Sequence, residues 1–243
     1  MTYKENPKTK GSGIVCCIPQ AGRCPVGCPE CFFQSGRSYL KPEDLPNIPK
    51  RVESWQVVRV NDGNDSNVHR RTVISEVSRF SHKFFNTSIP DRLEGFPGPV
   101  VLTLNPGRMT DTNFHKLDAI PKNLMFVRVR ANLWNLTSVV DSAVKYYAEE
   151  RGVPMVLTFM AYHELEVIPE FLREDYTLRR RTTNEYFAIT KQAWRKVMRR
   201  FEDEPLVYSC GREGISTGCK TCGNCLREWA ATMERMAQSG SAT

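Results

Sequence analysis

Residues 13–31 read GIVCCIPQAGRCPVGCPEC, an apolar run followed by a loop of proline, glycine and cysteine. The apolar run predicts the first strand. We interpret one of Cys16 and Cys17 as a core thiol, because free cysteine packs as a small hydrophobe, and we expect the other to face the pocket beside the loop. Neither is counted as a metal ligand.

The loop from Cys24 through Cys28 to Cys31 has the spacing C-x3-C-x2-C. Three thiolates at this spacing can bind three irons of a [4Fe-4S] cluster, which leaves the fourth iron free for a ligand from outside the protein. A zinc loop is the alternative, but zinc sites more often use paired C-x2-C knuckles with a fourth ligand. The spacing and the loop composition therefore favour an iron-sulfur cluster.

Four further cysteines, Cys210, Cys219, Cys222 and Cys225, form a second group with the spacing C-x8-C-x2-C-x2-C. Four thiolates make a closed site, so a second [4Fe-4S] cluster and a structural zinc site both remain open, and the tight C-x2-C-x2-C step favours iron.

The first ten residues lack the apolar segment of a secretory signal, which predicts a cytoplasmic protein. Its thiols would stay reduced there and bind metal rather than form disulfides.

Apolar β-rich runs alternate with helical patterns along the chain. The six predicted strands cover residues 13–18, 55–60, 83–89, 99–105, 124–130 and 154–162. Helices are predicted at residues 67–80, 137–152 and 184–204. The connection between Asn86 and Pro99 is too short for a regular helix. This alternation predicts an α/β fold with a parallel sheet or partial barrel.

The predicted strands are polar on one face only, since alternate residues of a strand point to opposite faces. The polar set comprises Arg59, Asn61, Thr103, Asn105, Arg128, Arg130, Thr158 and Tyr162. A face covered by helices should be apolar, so we expect this polar set to line the interior of the fold. Sites in barrels form at the carboxyl ends of the strands, where several of these residues lie.

The cysteine loop after a first strand resembles the signature of the radical S-adenosylmethionine (SAM) superfamily, which Cys24, Cys28 and Cys31 match. The resemblance implies a partial (β/α)6 TIM-like barrel, here with a short C-terminal cysteine-rich extension. It also implies that SAM binds the open iron of an oxygen-sensitive cluster, which a donor such as flavodoxin or ferredoxin reduces. SAM would then be cleaved to a 5′-deoxyadenosyl radical that abstracts hydrogen from a substrate.

The resemblance also sets expected boundaries. Residues 1–12 would be a flexible N-terminus, 13–181 the barrel, 182–235 a C-terminal helix with the auxiliary four-cysteine site, and 236–243 a disordered tail. No stretch approaches eighteen consecutive apolar residues, so we predict no membrane partner.

Further expected roles concern SAM itself. The family usually has an aromatic residue just before the third cysteine; here Glu30 occupies that position and Phe32 and Phe33 follow, so we expect one of these rings near the adenine. The other expected contacts are Asn61, Asp62 and Gly63 for the amino group, Arg128 or Arg130 for the carboxylate, and Asn105 or Asn132 for the ribose. Residues 61–67 also have the composition of a plain loop that ends in a helix N-cap.

The formal net charge of +7 favours an anionic partner such as a nucleotide or nucleic acid. Two loaded clusters would lower it to about +4, which weakens that argument. The alternative hypothesis is a non-catalytic zinc protein whose two cysteine groups brace a basic nucleic-acid-binding surface. The six predicted strands favour the enzyme.

Overall fold

The computed structural model describes residues 2–28, 31, 33, 38–105, 114–180, 184–211 and 218–240. The strands are β1 Ile14–Cys17, β2 Val57–Val60, β3 Lys83–Thr87, β4 Val100–Leu104, β5 Leu124–Ala131, β6 Met155–Phe159, β7 Ala161–Tyr162, β8 Tyr176–Arg180, β9 Glu185–Ile189 and β10 Val207–Ser209. Each of the six predicted runs overlaps one of the strands β1 to β6.

The main sheet has seven strands in the order β1-β2-β3-β4-β5-β6-β10, and every neighbouring pair is parallel. The predicted α/β class with a parallel sheet is therefore confirmed. Crossovers between parallel strands are almost always right-handed. When the strands also follow one another in chain order, right-handed crossovers all lie on the same face of the sheet.

Helices and short helical turns connect the strands. They are α1 Arg70–Glu76, α2 Asp141–Val144, α3 Lys191–Arg199, α4 Cys219–Cys222 and α5 Asn224–Gly240, with π-helical turns Leu136–Val140 and Lys145–Glu149 on either side of α2 and 3-10 turns Pro42–Asp44, Leu93–Gly95, Leu165–Val167 and Glu170–Asp175. The connection from β3 to β4 holds only the 3-10 turn Leu93–Gly95, as its length predicted.

The predicted helix 184–204 is wrong in its first third. Residues Glu185–Ile189 form β9, and α3 starts only after Thr190, whose hydroxyl accepts a hydrogen bond from Ala193 N at 3.2 Å. The predicted strand 154–162 is likewise divided at Met160. Its second part, β7, joins a separate antiparallel sheet in the order β7-β9-β8. A capping threonine and a change of sheet both interrupt patterns that look continuous in the sequence.

The two faces of the main sheet pack differently. One face, here called the helix face, carries the large apolar core that includes Val60, Phe85 and Leu102 together with Val73 of α1 and Trp194 of α3. The opposite face, here called the cavity face, carries a smaller apolar layer: Val57, Phe84, Val101, Met125, Phe126 and Val156, packed against Tyr208, Cys210, Cys225, Leu226 and Trp229.

Helix α5 covers the amino-terminal half of the cavity face. Trp229 Nε1 donates to the carbonyl of Lys83 at 3.2 Å, and Arg235 Nη2 donates to the carbonyl of Leu124 at 3.1 Å. Lys83 and Leu124 are the first residues of β3 and β5. The carboxyl half of the same face is left for polar residues.

Both ends of the chain are more ordered than the sequence indicated. Tyr3 OH donates to the carbonyl of Cys16 at 2.9 Å, and Asn6 and Thr9 are buried, so residues 2–12 pack on the domain instead of forming a flexible lead-in. Helix α5 continues to Gly240, so residues 236–240 are helical and not a disordered tail; residues 241–243 lie outside the described part. Within the described chain, no helix is both long and apolar enough to cross a bilayer.

We predict that Phe126→Ala lowers the free energy of unfolding by about 3–5 kcal/mol, because it removes a fully buried ring between the sheet and α5. Phe171→Ala is the matched control, since its ring is 81% exposed and its loss should change stability little. Urea denaturation of the two variants and the parent measures the difference. Equal stability of the Phe126 variant and the parent would contradict the packing described for α5.

Candidate functional site

A cavity of about 370 Å³ lies against the cavity face, toward the carboxyl ends of the strands. Its lining includes all seven predicted metal ligands: Cys24, Cys28, Cys31, Cys210, Cys219, Cys222 and Cys225. It also includes the predicted SAM contacts Phe33, Asn61, Asp62, Gly63, Asn105, Arg128 and Arg130. Phe32 lies outside the described residues. Two cysteine groups from opposite ends of the chain therefore share one cavity.

The polar residues predicted to line the interior do so with one exception. Arg59, Thr103 and Thr158 join the cavity lining, but Tyr162 does not. Tyr162 lies on β7, which belongs to the antiparallel sheet and not to the main sheet. Its ring packs against Trp134. The strand face was predicted correctly wherever the strand remained in the sheet.

The first cysteine group contacts the end of β4 through an amide. Asn105 Nδ2 donates to Cys28 Sγ at 3.6 Å, and Arg130 Nη1 in turn donates to Asn105 Oδ1 at 3.1 Å. Burial raises the pKa of Cys24. This chain of contacts links Arg130 through Asn105 to the sulfur of Cys28.

The turn after β2 is rigidly held. Asn61 has a left-handed backbone (φ +60), and its Nδ2 donates to Ser66 Oγ at 3.1 Å. The carboxylate of Asp62 accepts from Asn6 Nδ2 at 2.6 Å and from the Tyr39 hydroxyl at 3.1 Å. These partners fix the turn, so its backbone groups are presented to the cavity in one arrangement.

The ring of Phe33 lies directly on Gly63. A Cβ atom built on Gly63 would come within 2.3 Å of Phe33 Cδ2, so only glycine fits under the ring in this arrangement. Two segments that the sequence assigned to SAM, the residues after Cys31 and the turn after β2, are therefore in contact. Asn132, the other ribose candidate, is buried, and its Oδ1 accepts from Trp134 N at 3.2 Å.

The second cysteine group is built from three successive elements. Cys210 follows β10, Cys219 and Cys222 stand at the two ends of α4, and Cys225 lies in the first turn of α5. Gly223 separates the two helices with a left-handed backbone (φ +72), which turns the chain sharply between Cys222 and Cys225.

Hydrogen bonds and charges hold this group together. Gly211 N donates to Cys222 Sγ at 3.2 Å. A hydrogen bond from Cys222 and the nearby guanidinium groups of Arg128 and Arg59 lower the pKa of Cys210, against the effect of burial. The same hydrogen bond and burial raise the pKa of Cys222. Negative charge is therefore favoured on Cys210 rather than on Cys222.

The donor set of both groups suits a thiolate metal centre. All nine cysteines are free thiols, and thiolate is the ligand type that iron-sulfur clusters and zinc select. In the described ranges, no three Cys, His, Asp or Glu side chains converge on a point that would hold a single metal ion. An iron-sulfur cube distributes its ligands over different irons, so its thiolates stand further apart than those of one ion.

The antiparallel sheet adds residues to the cavity that the sequence did not assign. Arg179 of β8 and Tyr186 of β9 line it, and Arg179 Nη2 donates to the carbonyl of Ile189 at 3.2 Å. The alternation of β8 and β9 could have revealed the strands, but no local signal says that they reach the cavity.

Comparisons with known proteins assign no relative. No protein-family model matches the chain, and neither a curated protein nor a solved structure is significantly similar to it.

We predict that Cys16 and Cys17 react with a thiol reagent only after unfolding, whereas the seven partly exposed thiols of the metal-free protein react in the native state. Both residues are fully buried, and burial raises their pKa, to about 12 for Cys17, so little thiolate is present. Ellman titration in buffer and then in denaturant gives the two counts. Cys17→Ala should leave the native count unchanged and lower the denatured count by one. A native count of nine would contradict the burial.

Proposed function

We propose that this chain is a radical SAM enzyme with a site-differentiated [4Fe-4S] cluster on Cys24, Cys28 and Cys31. The observation that carries the proposal is the shared cavity. Seven thiols from both ends of the chain face it at the carboxyl edge of a parallel sheet, where sites of such folds form. The C-x3-C-x2-C loop follows the first strand, as the resemblance requires.

Contacts between the two ends of the chain support the partial (β/α)6 barrel. In a flat sheet with about 4.8 Å between neighbours, the first and last of seven strands would lie about 29 Å apart. Yet the loop after β1 and the segment after β10 line the same cavity. Cys219 N also donates to the carbonyl of Lys8, just before β1, at 3.0 Å. A curled sheet, extended by β10 as a seventh strand, explains both observations.

Different residues around the first cysteine group would bind different parts of SAM. The backbone of the turn Asn61–Gly63 would bind the amino group, and Phe33 would lie beside the adenine. Arg130 would pair with the carboxylate from its position next to Asn105. When bound, a reduced cluster would supply the one electron needed for the reductive cleavage of SAM. The cavity would place the bound SAM beside the substrate carbon from which hydrogen is to be taken.

The four-cysteine group would hold an auxiliary centre, a second [4Fe-4S] cluster or zinc. Flavodoxin or ferredoxin is the expected electron donor to the first cluster, and a reducing cytoplasm suits nine free thiols. The charge of +7 favours a nucleotide or nucleic acid as substrate, and two loaded clusters would leave about +4 of it.

The rival hypothesis, a zinc-braced nucleic-acid-binding protein, agrees less well with the geometry. A structural brace holds loops together away from the working surface. Here all seven candidate ligands line the cavity itself, next to polar residues of five strands of the main sheet. That arrangement favours a reaction centre over a brace.

We predict that anaerobically reconstituted protein cleaves SAM to 5′-deoxyadenosine in the presence of dithionite, and that Cys28→Ser abolishes cleavage by removing a ligand of the first cluster. Cys17→Ala is the matched control, because Cys17 lies in the core of the helix face and does not line the cavity. Chromatographic detection of 5′-deoxyadenosine measures both. Full cleavage by Cys28→Ser would overturn the ligand assignment.

We also predict about seven to eight irons with matching sulfide per chain after anaerobic purification, if both groups hold clusters. About four irons with one zinc would agree with the radical SAM proposal and would make the second centre a structural zinc site. Iron, zinc and acid-labile sulfide analysis distinguishes these compositions. Zinc alone would overturn the radical SAM proposal in favour of the zinc-braced alternative.

A further inference from the structure

We propose that Arg59 and Arg128 are the charge-compensating residues of the four-cysteine group, and that this group is built to hold a dianionic tetrathiolate metal centre. The inference rests on metal binding by the four cysteines, which is part of the proposed function. It does not depend on SAM cleavage, nor on whether the metal is iron or zinc.

Both arginines lie on the cavity face of the main sheet. They come from β2 and β5, and both line the cavity together with Cys210, Cys219 and Cys225. Burial lowers the pKa of Arg128, and the positive charge of Arg59 lowers it further. Two like charges therefore line the same partly enclosed space.

No carboxylate of the described residues forms an ion pair with either guanidinium. Arg128 Nη1 donates to the side-chain oxygen of Asn86 at 3.1 Å, which is neutral. The Nε of Arg59 is buried and has no hydrogen-bond partner in the described chain. The carboxylate of Asp62 favours the positive charge of Arg59 without forming an ion pair with it, and it accepts hydrogen bonds from Asn6 and Tyr39.

Two half-buried cations that form no ion pair are costly, since removing a charge from water carries a penalty unless the charge is paired. The four cysteines can supply the missing charge. Either a zinc ion or a [4Fe-4S]2+ core with four thiolates carries about −2, which the two guanidinium groups would neutralise. Lys8 also lines the cavity and acts on Cys210 and Cys219, and it would add to the positive charge around the centre.

The packing points the same way. Cys210 and Cys225 pack on the apolar layer that contains Val57 and Phe126, which lie two residues before Arg59 and Arg128 on the same strands. Arginine N–H groups are also good donors to negatively charged sulfur. The pair would therefore act as an outer layer around the metal ligands, a position in which substitutions cost about 10–100-fold in metal affinity.

The test isolates the second centre. In a Cys24→Ser, Cys28→Ser, Cys31→Ser background, the full chain keeps only the four-cysteine group. Arg59→Gln and Arg128→Gln are made in this background, and metal content is followed during challenge with excess chelator. Arg199→Gln is the matched control, since it removes the same charge from an exposed position on α3.

We expect Arg59→Gln and Arg128→Gln to bind the metal about 10–100-fold more weakly than the background protein, and Arg199→Gln to bind it equally well. Arg128→Lys should restore much of the affinity, because it keeps the charge. Thermal unfolding checks that the variants fold, and the change in their stability is a second, independent measurement. Without metal, each glutamine variant should be at least as stable as the background, since it relieves repulsion between half-buried cations; with metal it should be less stable.

Unchanged metal binding in both glutamine variants would overturn the inference. If inorganic phosphate then binds to the background protein and not to the variants, the arginines serve an anionic ligand instead. Failure of the background protein to bind any metal would also overturn it. In that case SAM cleavage by the wild-type chain still tests the first centre separately.

Discussion

The structure depends on one topological constraint: seven parallel strands that follow one another in chain order. Right-handed crossovers then place the connecting helices α1, α2 and α3 on the helix face and leave the other face without connecting helices. Helix α5 covers the amino half of that face and packs on an apolar layer. The carboxyl half stays polar, and the cavity forms there, lined also by the loop after β1 and by residues of β8 and β9.

The same constraint explains why cysteines so distant in sequence can cooperate. One group follows the first strand of the sheet, and the other follows the last. Residues 2–12 lie between these edges, and the contact of Lys8 with Cys219 joins them directly. The N-terminal segment is therefore part of the site, although its polar composition resembles a flexible lead-in. Hydrogen bonds of Tyr3 and Asn6 hold it in place, and hydrophobic periodicity does not report such bonds.

The sequence was sufficient for those features that depend on apolar runs and residue spacing. The strands of the sheet up to β6 were predicted because each is a run of buried β-branched and aromatic residues. The short strand β10 was missed, since three residues carry too little pattern. The division of 184–204 was missed because an apolar strand and an amphipathic helix adjoin at Thr190. That both cysteine groups meet in one cavity is a tertiary property, which no local spacing encodes.

Arg128 and Arg130 show where sequence reasoning ends. Strand periodicity correctly places both on one face, and from sequence either could pair with the SAM carboxylate. The two side chains differ in their position along β5 and therefore in the residues that they contact. Arg130 donates to Asn105, which contacts Cys28, whereas Arg128 donates to Asn86 and faces the four-cysteine group. The side-chain contacts therefore place two arginines that are two residues apart beside different cysteine groups, which the sequence alone could not do.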